Sequence, residues 1–321
     1  MKLPTLYIVI PCYNEEDVLP ITSIEFRNKL LELIDNDKIA DDSKIMFVDD
    51  GSKDQTWKII LELSRIHPEF IGIKQSRNRG HQNAVYAGLM ESKDMADITI
   101  SIDCDGQDDI NAMNEMIEAY YSGAEIVYGV RNNRDTDSFF KKTTAQFFYK
   151  IMDKMGVESI YNHADYRLVS SKVLHSFSKF EEVNLFLRGM FPLVGYNSTS
   201  VFYKRHERIA GESKYPLSKM LNLAFDGITS LSVKPIRFVT GLGLMMSTIS
   251  FLVIIWIFFC YFTGKTISGW ASNATLLSLF AGVQLISIGI IGEYIGKIYL
   301  EVKHRPKYII SERTESINEQ N

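Results

Sequence analysis

Two uncharged stretches near the C-terminus restrict this chain more than any other feature. No charged side chain occurs in the 27 residues between Arg237 and Lys265, a stretch that includes FLVIIWIFFCYF, nor in the 27 between Lys265 and Glu293. A hydrocarbon core of about 30 Å is crossed by about 20 helical residues, so each stretch is long enough to span. The competing reading, a pair of buried core helices, is disfavoured because such helices rarely run this far without a charge. Lys234 and Arg237 precede the first stretch, Lys297, Lys303, Arg305 and Lys307 follow the second, and the short loop between them carries only Lys265. Basic residues stay on the cytoplasmic side. The expectation is a multi-pass protein of the cell (inner or plasma) membrane, with both termini and the large N-terminal part in the cytoplasm.

With 321 residues there is room for one large domain plus an appendage. A net charge of -4 gives no electrostatic footprint for nucleic acid. Three cysteines, Cys12, Cys104 and Cys260, have neither metal-ligand spacing nor the density of a disulfide framework, which suits a reduced compartment. The apolar run at the N-terminus is short and broken by Pro11, unlike a signal peptide.

Before Arg237 the chain alternates between two periodicities. LYIVI, KIMFVDD, FIGIKQ, ITISID and AEIVYG are short β-rich runs that end in polar residues, and between them lie helical stretches such as DQTWKIILELSRI and HQNAVYAGLMES. This alternation predicts an α/β fold, a Rossmann-type and mostly parallel sheet with helices on both faces. Ligands of such sheets bind beyond the carboxyl ends of the strands, which here carry PCYNEE, DDGS, SRNRG and DCDGQ.

Asp103 and Asp105 leave the run ITISI at period two and so on one side of the chain. Two close carboxylates repel unless a cation lies between them, and carboxylate plus phosphate oxygens suit Mg2+ or Mn2+. A solvated acidic turn is the plainer alternative. Asp49 and Asp50 end another apolar strand, before Gly51 and Ser52. One of them has the makings of a turn or cap residue, while the other is free to meet a ligand. Asn14, Glu15 and Glu16 stand at the start of the next predicted helix.

VIPCYNEE, VDDGSKDQT, SRNRGHQNAVYAGL, IDCDGQ, YGVRNNR, ADYRL and AGESKYP follow one another in this order. The set resembles the family-2 glycosyltransferases of the polyprenyl-phosphate branch, which takes in dolichyl-phosphate mannose synthases and bacterial bactoprenol glucosyltransferases. The C-terminal GEYIGKIYLEVKHRP after two apolar stretches is similar to the bacterial subgroup. The resemblance covers nearly the whole chain, apart from the polar tail after Ile310. It implies a GT-A-like fold with a nucleotide pocket formed by Pro11, Tyr13 and Glu15. Asp50, with Val48 beside it, would meet the base. Asp103 and Asp105, flanking Cys104, would hold the metal on the diphosphate of the donor. It also implies phosphate contacts from Arg131 and Lys214, and a catalytic-site place for Asp165. Cys104 stands where alanine is usual, and Gly106, Asp108, Asp109 and Ile110 depart from the common leucine and D-P-P run. The implied division is a glycosyltransferase domain over 1–213, a juxtamembrane amphipathic helix over 214–235, two transmembrane helices over 236–297 and a tail over 298–321.

The basic residues fall into two clusters. One holds Arg131, Arg134, Lys141 and Lys142, the other Lys204, Arg205, Arg208 and Lys214. A solvated face is the bland reading, but a lipid phosphate must be drawn from an anionic surface, and Arg forks match phosphate oxygens. Between this face and the first span, Leu217, Met220, Leu221, Ala224, Phe225, Ile228 and Leu231 recur at helical spacing, as in a helix lying in the interface or packed on the domain. A phosphate acceptor, ionised near neutral pH, needs no strong base. Asp165 is therefore placed either to position the acceptor or to pair with Arg167. His81, His163 and His206 have the character of hydrogen-bonding structural residues.

The expected partners are a UDP-hexose, with glucose or N-acetylglucosamine as the sugar, and undecaprenyl or another polyprenyl phosphate within the lipid bilayer. Gly282, Gly289, Gly292 and Gly296 permit close helix packing, including with a second copy of the chain. Two other readings are a transferase acting on sugar hydroxyls, which lacks here its usual Q-x-x-R-W motif and extra spans, and a non-catalytic membrane adaptor, which would not need Asp103 and Asp105.

Overall fold

A computed structural model describes residues 2–132, 163–206, 229, 232–263 and 269–314. Lys214, Arg134, Lys141, Lys142, Arg208 and the periodic stretch from Leu217 to Leu231 lie outside the described residues. The strands are β1 (Leu6–Cys12), β2 (Lys44–Asp49), β3 (Phe70–Gln75), β4 (Ile98–Ser101), β5 (Ile126–Arg131), β6 (His163–Ser170), β7 (Ser198–Tyr203) and β8 (Ile310–Arg313). The helices are α1 (Leu19–Asp35), α2 (Thr56–Ile66), α3 (His81–Ser92), α4 (Ala112–Tyr121), α5 (Ser171–Phe177), α6 (Leu187–Leu193), α7 (Lys234–Phe262) and α8 (Trp270–Val302).

All eight strands form one sheet in the order β7-β5-β6-β4-β1-β2-β3-β8. The centre is parallel, β4-β1-β2-β3, as the βαβ alternation predicts. The strand carrying ADYRL, β6, runs antiparallel between β4 and β5, and β8 runs antiparallel on the β3 edge. The sheet is therefore mixed and GT-A-like.

Period-two alternation divides the core. Leu6, Ile8 and Ile10 of β1 pack with Phe26 and Leu30 of α1, Trp57 and Ile60 of α2, and Met113 and Met116 of α4. Tyr7 and Val9 point the other way, into a layer shared with Met46, Val48, Ile73 and the small residues Ala84 and Ala87 of α3. Small residues let α3 approach the sheet closely. A Cβ built on Gly88 would lie 2.3 Å from a methyl of Val9 and 2.8 Å from one of Val48.

α7 and α8 contain candidate membrane spans over Lys234–Trp256 and Leu279–Val302, with mean hydropathies of 2.2 and 1.6. Their large apolar side chains, among them Phe238, Phe251, Trp256, Leu285 and Ile291, are exposed, as suits helices whose solvent is lipid. The Tyr294 hydroxyl of α8 donates to the Ser232 carbonyl just before α7 (2.5 Å). Beyond α8 the chain does not trail away. It returns to the sheet as β8, where Trp57 Nε1 donates to Glu312 (2.9 Å) and the Gly72 amide donates to Thr314 Oγ1 (3.1 Å).

Candidate active site

The loops after β1 and β2 are tied into one ledge. Asn14 adopts a positive φ of 53°, a conformation asparagine tolerates. Its amide donates to Ser52 Oγ (3.0 Å) and its side-chain oxygen accepts from the Lys53 amide (2.9 Å). The Glu15 amide donates to Thr56 Oγ1, and Glu16 accepts from the Gln55 amide (both 2.9 Å). Gly51 makes the turn possible. Its φ is +68°, and a Cβ there would fall 2.6 Å from the Arg77 backbone. Tyr13 is exposed on this ledge, while Pro11 and Val48 are buried partners across the β1–β2 pair.

The two aspartates of D-D-G-S divide their tasks in a way sequence could not show. Both oxygens of Asp50 are taken by the loop after β3, accepting from the amides of Arg79 (2.8 Å) and Gly80 (2.9 Å). Asp50, read from sequence as a base contact, thus holds the SRNRG loop in place. Asp49 Oδ1 accepts from the Ser52 amide (3.1 Å), whereas its Oδ2 is buried with no hydrogen-bond partner. Burial raises both carboxyls above their usual range.

Beyond β4 the alternation continues. Ile102 and Cys104 turn into the core, 2% and 3% exposed, and Asp103 keeps 31% of its side chain open. The Cys104 thiol lies 3.7 Å from Thr22 Oγ1 beneath the site, so this residue, expected in the donor pocket, can offer a ligand only its main chain. Asp105 Oδ1 accepts from the Gln107 amide (3.1 Å). Burial raises the Asp103 carboxyl, His81 opposes this, and Asp108, Asp165 and Asp105 add to it. Asp103 and Asp105 repel one another, and a shared cation relieves such a pair. Among the described residues no group of three or more His, Cys, Asp or Glu side chains is placed to hold a metal. Two carboxylates with the remaining oxygens drawn from a bound phosphate is the donor set that fits Mg2+ or Mn2+.

Asp165, 4% exposed on β6, is the hub of the site. Arg167 donates to its Oδ1 (2.8 Å), and Arg188 of α6 reaches both oxygens (3.2 and 3.0 Å). Gln82 Nε2 and His81 Nε2, from the first turn of α3, each lie 3.3 Å from Oδ2. Burial alone would raise this carboxyl, but Arg188, His81 and Arg167 outweigh it and hold it well below the usual range. His81 also lies 3.6 Å from Asp103. Burial works against its charge, yet the hydrogen bond to Asp165 and the charges of Asp103 and Asp165 raise the imidazole to about 9. His81, read from sequence as a hydrogen-bonding structural residue, is thus held as a cation at neutral pH by Asp103 and Asp165. Sequence reasoning missed Arg188, which lies in an apolar helix far from every recognised motif.

Arg131, at the end of β5, has a partner within the protein. It grips Asp108 Oδ1 through Nε (3.2 Å) and Nη2 (3.0 Å), and the Tyr203 hydroxyl donates to the same oxygen (2.6 Å). Asp108 Oδ2 is buried without a hydrogen-bond partner. Arg131 is 24% exposed at this rim, so its charge is shared between Asp108 and whatever enters.

The family model "Glycosyl transferase family 2" matches residues 7–177, and "GtrB C-terminal hairpin" matches residues 234–298. The chain is 50% identical to the uncharacterized glycosyltransferase YkoT of Bacillus subtilis (strain 168), over 96% of this chain and 91% of that protein. It is 42% identical to the uncharacterized glycosyltransferase YkcC of the same strain, over 94% and 92%. It is 40% identical to the bactoprenol glucosyl transferase of Shigella phage SfV, over 94% of this chain and 97% of that one.

Proposed function

Because the chain belongs to the family-2 glycosyltransferases, we propose that it transfers glucose from a nucleotide-diphosphate sugar, UDP-glucose, to a polyprenyl phosphate at the membrane surface. The observation that carries this reading is the joining of two features. A paired-carboxylate site at Asp103 and Asp105 has His81 beside Asp103 and, within reach of its charge, Asp165 paired with Arg188 and Asp108 paired with Arg131, and its domain is continuous in sequence with an apolar helix hairpin. The hairpin matches the model "GtrB C-terminal hairpin", and two relatives over nearly the whole length are named bactoprenol glucosyl transferases.

In this reading the ledge from Pro11 to Glu15, with Val48 and Asp50 behind it, receives the nucleotide. Asp103 and Asp105 hold a divalent cation, Mg2+ or Mn2+, which when bound neutralises the charge of the leaving diphosphate. The lipid phosphate oxygen bonds to the anomeric carbon as the bond to the diphosphate breaks on the opposite face, so an α-linked donor yields a β-linked lipid-phosphate sugar. Arg131 and Lys214 steer phosphate into line. Asp165 is engaged by Arg167, Arg188 and His81, which supports a positioning role toward an already ionised acceptor.

The chain leaves the domain at α7 and re-enters its sheet at β8, which supports two crossings with both ends on one side. The basic residues at those ends support a cytoplasmic side for both.

The test is transfer by the full chain in lipid vesicles containing undecaprenyl phosphate. UDP-glucose, UDP-N-acetylglucosamine and GDP-mannose are offered in turn, with Mg2+, Mn2+ or a chelator, and lipid products are read by mass spectrometry. A hexosyl-phosphate lipid from UDP-glucose, lost with chelator and with Asp103→Asn, is expected. Product on a sugar hydroxyl alone, or none with any donor, would overturn the reading.

A further inference from the structure

The segment that follows the second membrane helix touches the site from two sides. At the end of α8, the Glu301 carboxylate accepts from the Val183 amide (3.0 and 2.8 Å), the Asn184 amide (3.0 Å) and the Asn184 side chain (3.2 Å). Three residues further along, α6 begins and presents Arg188 to Asp165. Lys307 donates to the Phe180 carbonyl of the same loop, and its ammonium lies 4.5 Å from the ring of Tyr86 on α3. Next along, the Tyr308 hydroxyl donates to Glu91, also on α3 (2.9 Å). The first turn of α3 supplies His81 and Gln82 to Asp165, and Gln82 Oε1 accepts from the Leu187 amide of α6 (3.0 Å). Both helices that hold Asp165 are thus gripped by one short stretch that begins in the last turn of α8.

We propose that residues 301–308 form a clasp that sets α6 against α3 around Asp165, with Glu301 as its positioning residue. The second membrane helix is then part of the scaffold of the acceptor side of the site, in addition to anchoring the domain. A carboxylate that satisfies three N–H donors is strongly held. A glutamine in its place keeps the oxygen that meets all three donors, but it loses the charge and the 2.8 Å bond from Val183 and turns an amide N–H2 toward that N–H. The nucleotide ledge at residues 11–16 and 49–56 is not touched by the clasp, so the two halves of the site should respond differently. The proposal rests on the transferase reading above.

The experiment compares the full chain with Glu301→Gln, Glu301→Asp and, as a control in the same stretch whose side chain turns back onto Tyr299 of α8, Lys303→Gln. Three quantities are measured in vesicles: transfer rate against undecaprenyl phosphate concentration, affinity for UDP, and amide exchange over residues 183–193. For Glu301→Gln, kcat/KM for the lipid should fall about tenfold, as for loss of a charge-assisted hydrogen bond. UDP affinity should stay within about twofold, and exchange over 183–193 should quicken. Glu301→Asp should recover part of the rate, and Lys303→Gln should match wild type. Unchanged lipid dependence, or UDP affinity falling in step with turnover, would overturn the clasp. If the wild type transfers no sugar, the transferase reading fails and the exchange data still decide: unchanged exchange in Glu301→Gln rules the clasp out.

Discussion

At the scale of single residues, Asp165 shows how a buried carboxylate is held ionised. Burial would neutralise it, but three cationic side chains and the Gln82 amide surround it, and removing one partner of such a buried set is costly. His81 links this hub to Asp103, and its raised pKa has a consequence for stability. A group whose folded pKa lies above its unfolded value stabilises fully below the unfolded value and loses that contribution as pH rises through the folded one. For His81 the window runs from about 6.5 to about 9. In chelator-treated protein the Tm advantage of wild type over His81→Gln should shrink across this window. A difference that stays constant from pH 6 to 9.5 would show that the imidazole carries no such charge. Asp165 works in the opposite sense, its contribution fading only as pH falls below the ordinary carboxylate range.

Among the elements, α3 does the most to place the site. Its first turn supplies His81 and Gln82, and Ala84, Ala87 and Gly88 bring it close against β1 and β2. Gly88→Ala would put a methyl into the space of Val9 and Val48. The expected cost is about 1–3 kcal/mol, as for other overpacked cores, read as a lower Tm. Val9→Ala in the same background should recover part of it. An unchanged Tm in Gly88→Ala would mean that α3 can shift off the sheet freely. At the far edge, β8 covers β3 with a four-residue strand that is rich in charge. Lys74 and Trp57 both meet Glu312, and Arg313 meets Glu91. A short, charged edge strand of this kind also protects the sheet against pairing with other chains.

The whole molecule is organised by a chain that leaves one domain, runs out along α7, comes back along α8 and completes the sheet it left. With β8 paired to β3, both ends of the hairpin belong to the same body. Reporter fusions after Asn321 and within the loop between α7 and α8 should therefore report opposite compartments, the former the cytoplasm. The same compartment for both would mean that one helix does not cross. The exposed apolar flanks of both helices make an aqueous location for the pair energetically costly, since burial of apolar surface is worth about 25 cal/mol per Å2.

What the sequence determined by itself is what local chemistry determines. Runs of β-branched and aromatic residues set β1 to β5, charge-free length marks α7 and α8, and the period-two exit from β4 puts Asp103 and Asp105 on the opposite side from Ile102 and Cys104. Motif order was enough for the family. Tertiary structure decided whatever depends on partners remote in sequence. The insertion of β6 between β4 and β5, the return of the tail as β8 and the capture of Asp50 by Arg79 and Gly80 join residues 29 to 255 positions apart. A four-residue stretch such as ISER has little strand character of its own and gains it from the open edge of β3. Arg188 reaches Asp165 only because α6 packs beside β6, and no periodicity announces a single arginine in an apolar helix.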